Sequence, residues 1–310
     1  MITATDVTIL QLVWPNGARR YELVGRDGSL LCDPFSSVWY RNLQGLGPYG
    51  SLNSANEIDL DVRRFSQKYD LLEHLTYLIG DVNHGHWFFD HYAKAIVADF
   101  FKLPPLLIRP LDSVKLESLA LASVKALSIP PGITDSALIR CHRLTILSNP
   151  PPRIIPRVIR SSLSVKTVES SDIIFLNKSA GNRRLNNLDL VLPSLASMGV
   201  KVLDPTQLSF RELLSAICSA KLVISPLGAE SVNHLFRDRC TCVFLPTNVK
   251  YSNHPAVNWL QANYVVNQVY PIYCPVADGF LEASPDGVKF DLSDDGMSAL
   301  CQLIGTVRNH

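Results

Sequence analysis

An α/β fold containing parallel sheet is what this sequence predicts, and three observations predict it. Between Asp172 and Thr247 short apolar runs alternate with amphipathic helical stretches, a spacing that calls for parallel strands joined by right-handed crossovers. A hydrophobic fraction of 47% beside 18% charged residues describes a chain able to bury a sizeable core. Its 310 residues favour two domains of roughly 150 each.

The elements follow in order. Residues 1–60 mix short apolar runs with Gly and Asn turns, as short strands or hairpins do. Tyr77–Gly80 reads as a buried strand. His86 to Phe101 reads as an aromatic-rich helix that sets His86, Asp90 and Lys94 along one face, and Pro104-Pro105 ends it. Leu106–Arg109 is expected as a strand, Val114–Leu127 as an amphipathic helix and Leu138–Leu147 as a strand. The prolines at 150–152, Pro156 and the serines at 161–164 mark a linker, because consecutive prolines stiffen the backbone and cannot enter a sheet interior. The expected domains are therefore 1–155 and 165–290, with a C-terminal helix at 291–310.

The second half carries the clearest alternation. Strands are expected at Ile173–Leu176, Val200–Leu203, Leu222–Ser225 and Cys242–Leu245, and a helix at Asn186–Met198 that Gly199 stops. Ser209 and Glu212 form a capping box that opens another helix. A helix from Glu230 to Phe236, one around Val257–Ala262 and one from about Asp294 to Val307 complete the reading.

A net charge of +1 leaves no electrostatic footprint for nucleic acid, so any anion site must be local. Seven scattered cysteines, with Cys240 and Cys242 too close for C-x-x-C spacing, read as buried thiols of a reducing compartment. No run of about 18 apolar residues spans a bilayer, and Met1 to Leu12 lacks the features of a signal peptide. A cytoplasmic protein is expected.

Three stretches carry candidate chemistry. In Asn83-His-Gly-His-Trp-Phe-Phe-Asp90, His86 and Asp90 lie one turn apart, as a general base and its partner or as a structural pair at a helix start. His84, His86, Asp90 and His91 also cluster, but without a distant partner motif no metal site is assigned. In Lys178-Ser-Ala-Gly-Asn-Arg-Arg184, Lys178, Arg183 and Arg184 follow a strand directly, where guanidinium forks suit phosphate oxygens, or they form a solvated basic loop. In Ser225-Pro-Leu-Gly-Ala-Glu-Ser-Val-Asn233, a Gly turn opens a helix after a strand. That aims N–H groups at one point for an anion, or simply joins strand to helix. Ser225, Gly228 and Ala229 would approach phosphate, Asn233 a ribose or base, and Glu230 a sugar hydroxyl, since it would repel phosphate.

Taken together these stretches resemble glycosyltransferase family 61. Asn83, Gly85, His86, Trp87 and Asp90 fit its first motif, and Phe175, Lys178, Arg183, Arg184 and Asn186 its basic loop. Val202–Pro205, Leu208, Ser209 and Glu212 follow, then Ala220, the strand into residues 225–230, Asn233 and Phe236. Two positions depart: the family's turn histidine is Leu227 here, and a small residue is Glu230. The resemblance implies two Rossmann-like domains facing a central cleft (GT-B type), with a nucleotide sugar on the C-terminal domain and a glycan or glycolipid acceptor on the N-terminal one. It also implies inversion at the anomeric carbon, no metal or other cofactor, and a UDP-linked donor of the xylose or N-acetylhexosamine type. Asp90 or His86 would deprotonate the acceptor, while Lys178, Arg183, Arg184 and the amides at Gly228–Ala229 would stabilise the leaving diphosphate. Peripheral membrane contact is compatible with such an acceptor. The alternative is a degenerate member that binds a nucleotide sugar or glycan without transfer, which Leu227 and Glu230 favour. A nicotinamide-dependent oxidoreductase is disfavoured, since no G-x-G-x-x-G follows any strand.

Overall fold

The computed structural model describes residues 1–13, 19–26, 50–52, 58–60, 67–71, 74–77, 84–104, 106–108, 111–128, 137–148, 150–163, 172–179, 184–237, 239–246, 255–277 and 289–309. They form two compact units. Unit 1 comprises Met1–Gly80, Lys94–Asp112 and Ser123–Asn149; unit 2 comprises Asp81–Ala93, Ser113–Ala122 and Pro150–His310. The division therefore differs from one cut at the prolines, because two segments of the first half belong with the second.

Unit 1 holds β1 (Ile2–Val13), β2 (Arg19–Val24), β3 (Gly50–Leu52), β4 (Ile58–Leu60), β5 (Gln67–Leu71), β6 (Leu75–Tyr77), β7 (Leu106–Ile108), β8 (Ala126–Ser128) and β9 (Ala137–Ile146). Its main sheet runs β2-β1-β9-β6-β7-β8, with β5 also pairing β9. β1 is antiparallel to β2 and β9, whereas β9, β6, β7 and β8 are parallel neighbours, so the sheet is mixed. β3 and β4 make a separate antiparallel pair. The expected helix to Leu127 stops earlier, at Leu121, because Ala126–Ser128 pairs with β7 instead of continuing the helix. The Tyr77–Gly80 strand is β6, ending at Tyr77; residues 78–80 lie outside the described residues.

Unit 2 holds β10 (Ile173–Leu176), β11 (Arg184–Leu185), β12 (Val200–Leu203), β13 (Leu222–Pro226), β14 (Thr241–Pro246), β15 (Val269–Cys274) and β16 (Lys289–Phe290). The order β12-β10-β13-β14-β15 is parallel throughout. β10 and β13 are buried along their whole length, which is why they read as unbroken apolar runs. Phe175, Phe244 and Phe290 meet edge to face inside the core they help to build. β15 escaped the sequence reading because it is an edge strand that buries only Ile272 and Cys274.

Local chemistry accounts for the helices. Ser209 and Glu212 close the capping box at the start of the helix Phe210–Ser219. Gly199 ends the helix Leu188–Ser197 at φ +61°, a left-handed conformation that suits glycine. The expected linker contains the helix Ile155–Ser162, with Ile155 and Ile159 buried. Pro156 sits in its first turn, where the missing N–H costs nothing. Helices at Pro255–Val266 and Asp294–Asn309 extend slightly beyond their expected ends. Among the described residues, no helix is long and apolar enough to cross a membrane.

Topology points to one place in unit 2. The chain leaves β10 for β12 on one side, then returns to β13 on the other. Crossovers thus diverge between the carboxyl ends of β10 and β13, the switch point at which open parallel sheets bind ligands.

Candidate functional site

Three helical stretches follow one another from residue 84: His84–His86, a widened π turn at Trp87–Tyr92, and Ala93–Phe100. Aromatic burial explains why the first two belong to unit 2. Phe88 stacks on Phe210 with ring centroids 5.0 Å apart and meets Phe236 edge-on, also at 5.0 Å. Trp87 Nε1 donates to Ser118 Oγ at 3.1 Å, and Tyr92 Oη lies 3.1 Å from Ser162 Oγ. A π turn fits one extra residue into the loop of helix, and here Trp87, Phe88 and Tyr92 are all fully buried.

Two contacts carry this segment's polar chemistry. His84 Nε2 lies 2.7 Å from Asn233 Oδ1, joining the His-Gly-His stretch to the helix after β13. His86 Nδ1 lies 2.6 Å from Asp90 Oδ2, and both side chains are about five-sixths buried, at 15% and 16% exposure. His84 shares a face with Phe88, whose ring it meets edge-on. His86 is two residues on, about half a turn round, so the His86–Asp90 pair occupies a different face of the helix.

At the carboxyl end of β10 the side chain of Asn177 accepts the Leu185 N–H at 3.0 Å and donates to the Lys178 carbonyl. Asp204 accepts the Ser179 N–H at 2.9 Å. Partial burial pushes the Asp204 carboxyl up, but hydrogen bonds from Ser179 and Thr206 outweigh it and hold the pKa down at about 2. Arg184, the first residue of β11, donates Nη1 to the Ser179 carbonyl. Arg183, like Asn83, lies outside the described residues. Lys178 Nζ lies 2.8 Å from Glu230 Oε1.

The turn after β13 differs in detail from the expected joint. Gly228 is extended, at φ 170°, and Ala229–Phe236 forms a 3-10 helix rather than an α-helix. Leu227 donates its N–H to the Phe244 carbonyl, prolonging the ladder past Pro226, and its side chain is buried. Three residues per turn eclipse positions i and i+3, so Glu230, Asn233 and Phe236 share one face. Asn233 is fully buried and Glu230 nearly so. Glu230 Oε2 and Asn233 Nδ2 have no hydrogen-bond partner among the described residues. Ala229 is half-buried.

Ser225 lies beneath this turn, its Oγ 2.7 Å from Nε2 of the fully buried His234. Burial, then the nearby Arg237 guanidinium, pushes the His234 pKa down to about 3. Asn263 donates to the Ser231 carbonyl and Asn267 to the His234 carbonyl, fixing the 3-10 helix from below.

The structure thus brings together Lys178 with Glu230, and Asn233 with His84. It places Ser225 under the turn and Arg184 at the start of β11, bonded to the Ser179 carbonyl. The structure adds His84, bonded to Asn233, and His234, bonded to Ser225: spacing marks His84 only as a possible metal ligand, and nothing local distinguishes His234 from any histidine in a helix. Among the described residues no group of three or more His, Cys, Asp or Glu is arranged to hold a metal ion.

Comparison with known proteins gives three findings. A family model described as Glycosyltransferase 61 matches residues 84–244, just over half of the chain. No curated protein matches it. Among solved structures, a bacterial iron-containing dodecameric glycosyltransferase, TibC from enterotoxigenic E. coli, aligns at 10% identity over 78% of this chain and 73% of that one, with a TM-score of 0.35.

Proposed function

Because this chain belongs to glycosyltransferase family 61 and is a glycosyltransferase, we propose that its donor, a nucleotide sugar, binds at the carboxyl ends of β10 and β13. The same proposal includes a GT-B-type arrangement, inversion at the anomeric carbon without a metal ion, and a UDP-linked donor of the xylose or N-acetylhexosamine type. A glycan or glycolipid acceptor completes the reaction. The observation that carries this reading is the His84–Asn233 hydrogen bond. It ties the first family motif to the last one inside unit 2, at a sheet edge where ligands gather.

In this reading the acceptor hydroxyl loses its proton to His86. Asp90, 2.6 Å from Nδ1, holds the imidazole so that Nε2 is the basic nitrogen and stabilises the imidazolium once formed. The deprotonated oxygen attacks the anomeric carbon in line, and the bond to the diphosphate breaks on the opposite face. Lys178, with the amides at Gly228–Ala229, Arg183 and Arg184, takes up the charge of the leaving group. Asn233 and Glu230 supply a donor and an acceptor for donor hydroxyls.

The test is a panel of nucleotide sugars assayed for release of nucleoside diphosphate and for transfer. H86A is expected to cut turnover roughly 10²–10⁴-fold. D90N should lower kcat while leaving donor KM near its wild-type value. Wild-type turnover in both variants would remove the assignment. A non-catalytic binder is the second reading, favoured by the neutralisation of Lys178 by Glu230. It predicts a donor-dependent rise in melting temperature with no turnover.

A further inference from the structure

Among the described residues, the cations Lys178 and Arg184 are already engaged. Lys178 Nζ sits 2.8 Å from Glu230 Oε1, with the two side chains only 21% and 7% exposed. Arg184 is bonded to the Ser179 carbonyl. A carboxylate this buried needs its counter-ion, since removing either partner leaves an uncompensated charge out of water. Of the two Glu230 oxygens, only Oε1 is held; Oε2 has no hydrogen-bond partner among the described residues. The carboxylate is therefore kept in place by Lys178 rather than by a surrounding set of donors.

A phosphate approaching Lys178 meets a pair already neutral, whose negative member is the Glu230 carboxylate. It gains the ammonium only by displacing the carboxylate, and the displaced carboxylate then needs new donors. Free pyrophosphate offers none. A sugar does, through hydroxyls that can donate to the carboxylate once it has moved off Lys178.

Resting on the donor reading above, we infer that Glu230 is an internal competitor for donor phosphate at Lys178. It makes the site discriminate for an intact nucleotide sugar and against a bare diphosphate. Before transfer, sugar hydroxyls satisfy the displaced carboxylate. After transfer the sugar has gone, the carboxylate returns to Lys178, and the nucleoside diphosphate is expelled.

The experiment is calorimetric titration of the full chain with UDP and, separately, inorganic pyrophosphate, in wild type, E230Q, K178A and the double variant, each with its melting temperature. E230Q is expected to tighten both anions by about tenfold or more. K178A in the E230Q background should abolish the gain. Anion binding that is unchanged or weaker in E230Q, while K178A still weakens it, overturns the inference and leaves the donor site at Lys178 standing. If K178A has no effect in either background, the assignment of Lys178 to the phosphate falls, and the inference falls with it. Should E230Q fail to fold, E230D decides the same question. It keeps the charge but draws it back by one methylene, and tightening is again expected; its absence overturns the proposal.

Discussion

Burial on every side, then the charge of Arg237, holds His234 neutral, with its pKa near 3 against an ordinary 6.5. Between those values the unfolded chain binds a proton that the folded protein refuses, so stability falls as pH falls from 6.5 towards 3. The slope attributable to one such group reaches about 1.4 kcal/mol per pH unit. Urea unfolding at a series of pH values should show it, and H234Q should flatten it; an undiminished slope in H234Q would assign the effect to another group. The same residue scale explains why the His-Gly-His stretch was only half legible. Spacing alone paired His86 with Asp90, since i and i+4 meet on any helix. The partner of His84 is 149 positions away. Lys178 and Glu230 were each picked out as donor-binding, but their union cancels the charge that made Lys178 attractive.

Helix ends were the most readable elements. The Ser209–Glu212 box satisfies two otherwise orphaned N–H groups, and Glu117 Oε2 accepts the Phe210 N–H at 2.9 Å. S209A should cost about 1 kcal/mol in denaturant unfolding. G199A should cost a similar amount, about 1 kcal/mol, because a Cβ is strained at φ +61°. A variant at either position with wild-type stability would show that the cap contributes little. The helix after β13 was less readable. Its apolar spacing fits an α-helix, yet hydrogen bonds from Asn263 and Asn267 below and the packing of Phe236 on Phe88 accompany a 3-10 winding. That winding stacks Glu230 over Asn233.

For the whole molecule, the consequential feature is that unit 2 is assembled from three stretches of chain. A fragment starting at Pro150 lacks Phe88, and with it the aromatic cover of Phe210 and Phe236. It also lacks the Glu117 cap. Expressed alone, that fragment should bind an apolar dye and unfold without a cooperative transition. In the full chain F88A should lose roughly 3–5 kcal/mol. A fragment that melts cooperatively would show that residues 81–93 and 113–122 are accessory to the unit.

The sequence by itself determined four of the five strands in the parallel sheet of unit 2, the capping box and glycine stop of its helices, and the motifs that mark the family. Each of these is written in neighbouring residues: burial on both faces makes an apolar run, a cap needs its fourth residue, and a left-handed turn suits glycine. Only the tertiary structure decided which half of the chain the Trp87–Tyr92 aromatics would join, which histidine would meet Asn233, and that Lys178 would be neutralised. Those outcomes depend on which distant surfaces exclude water together, and no local pattern encodes a partner 50 to 150 residues away.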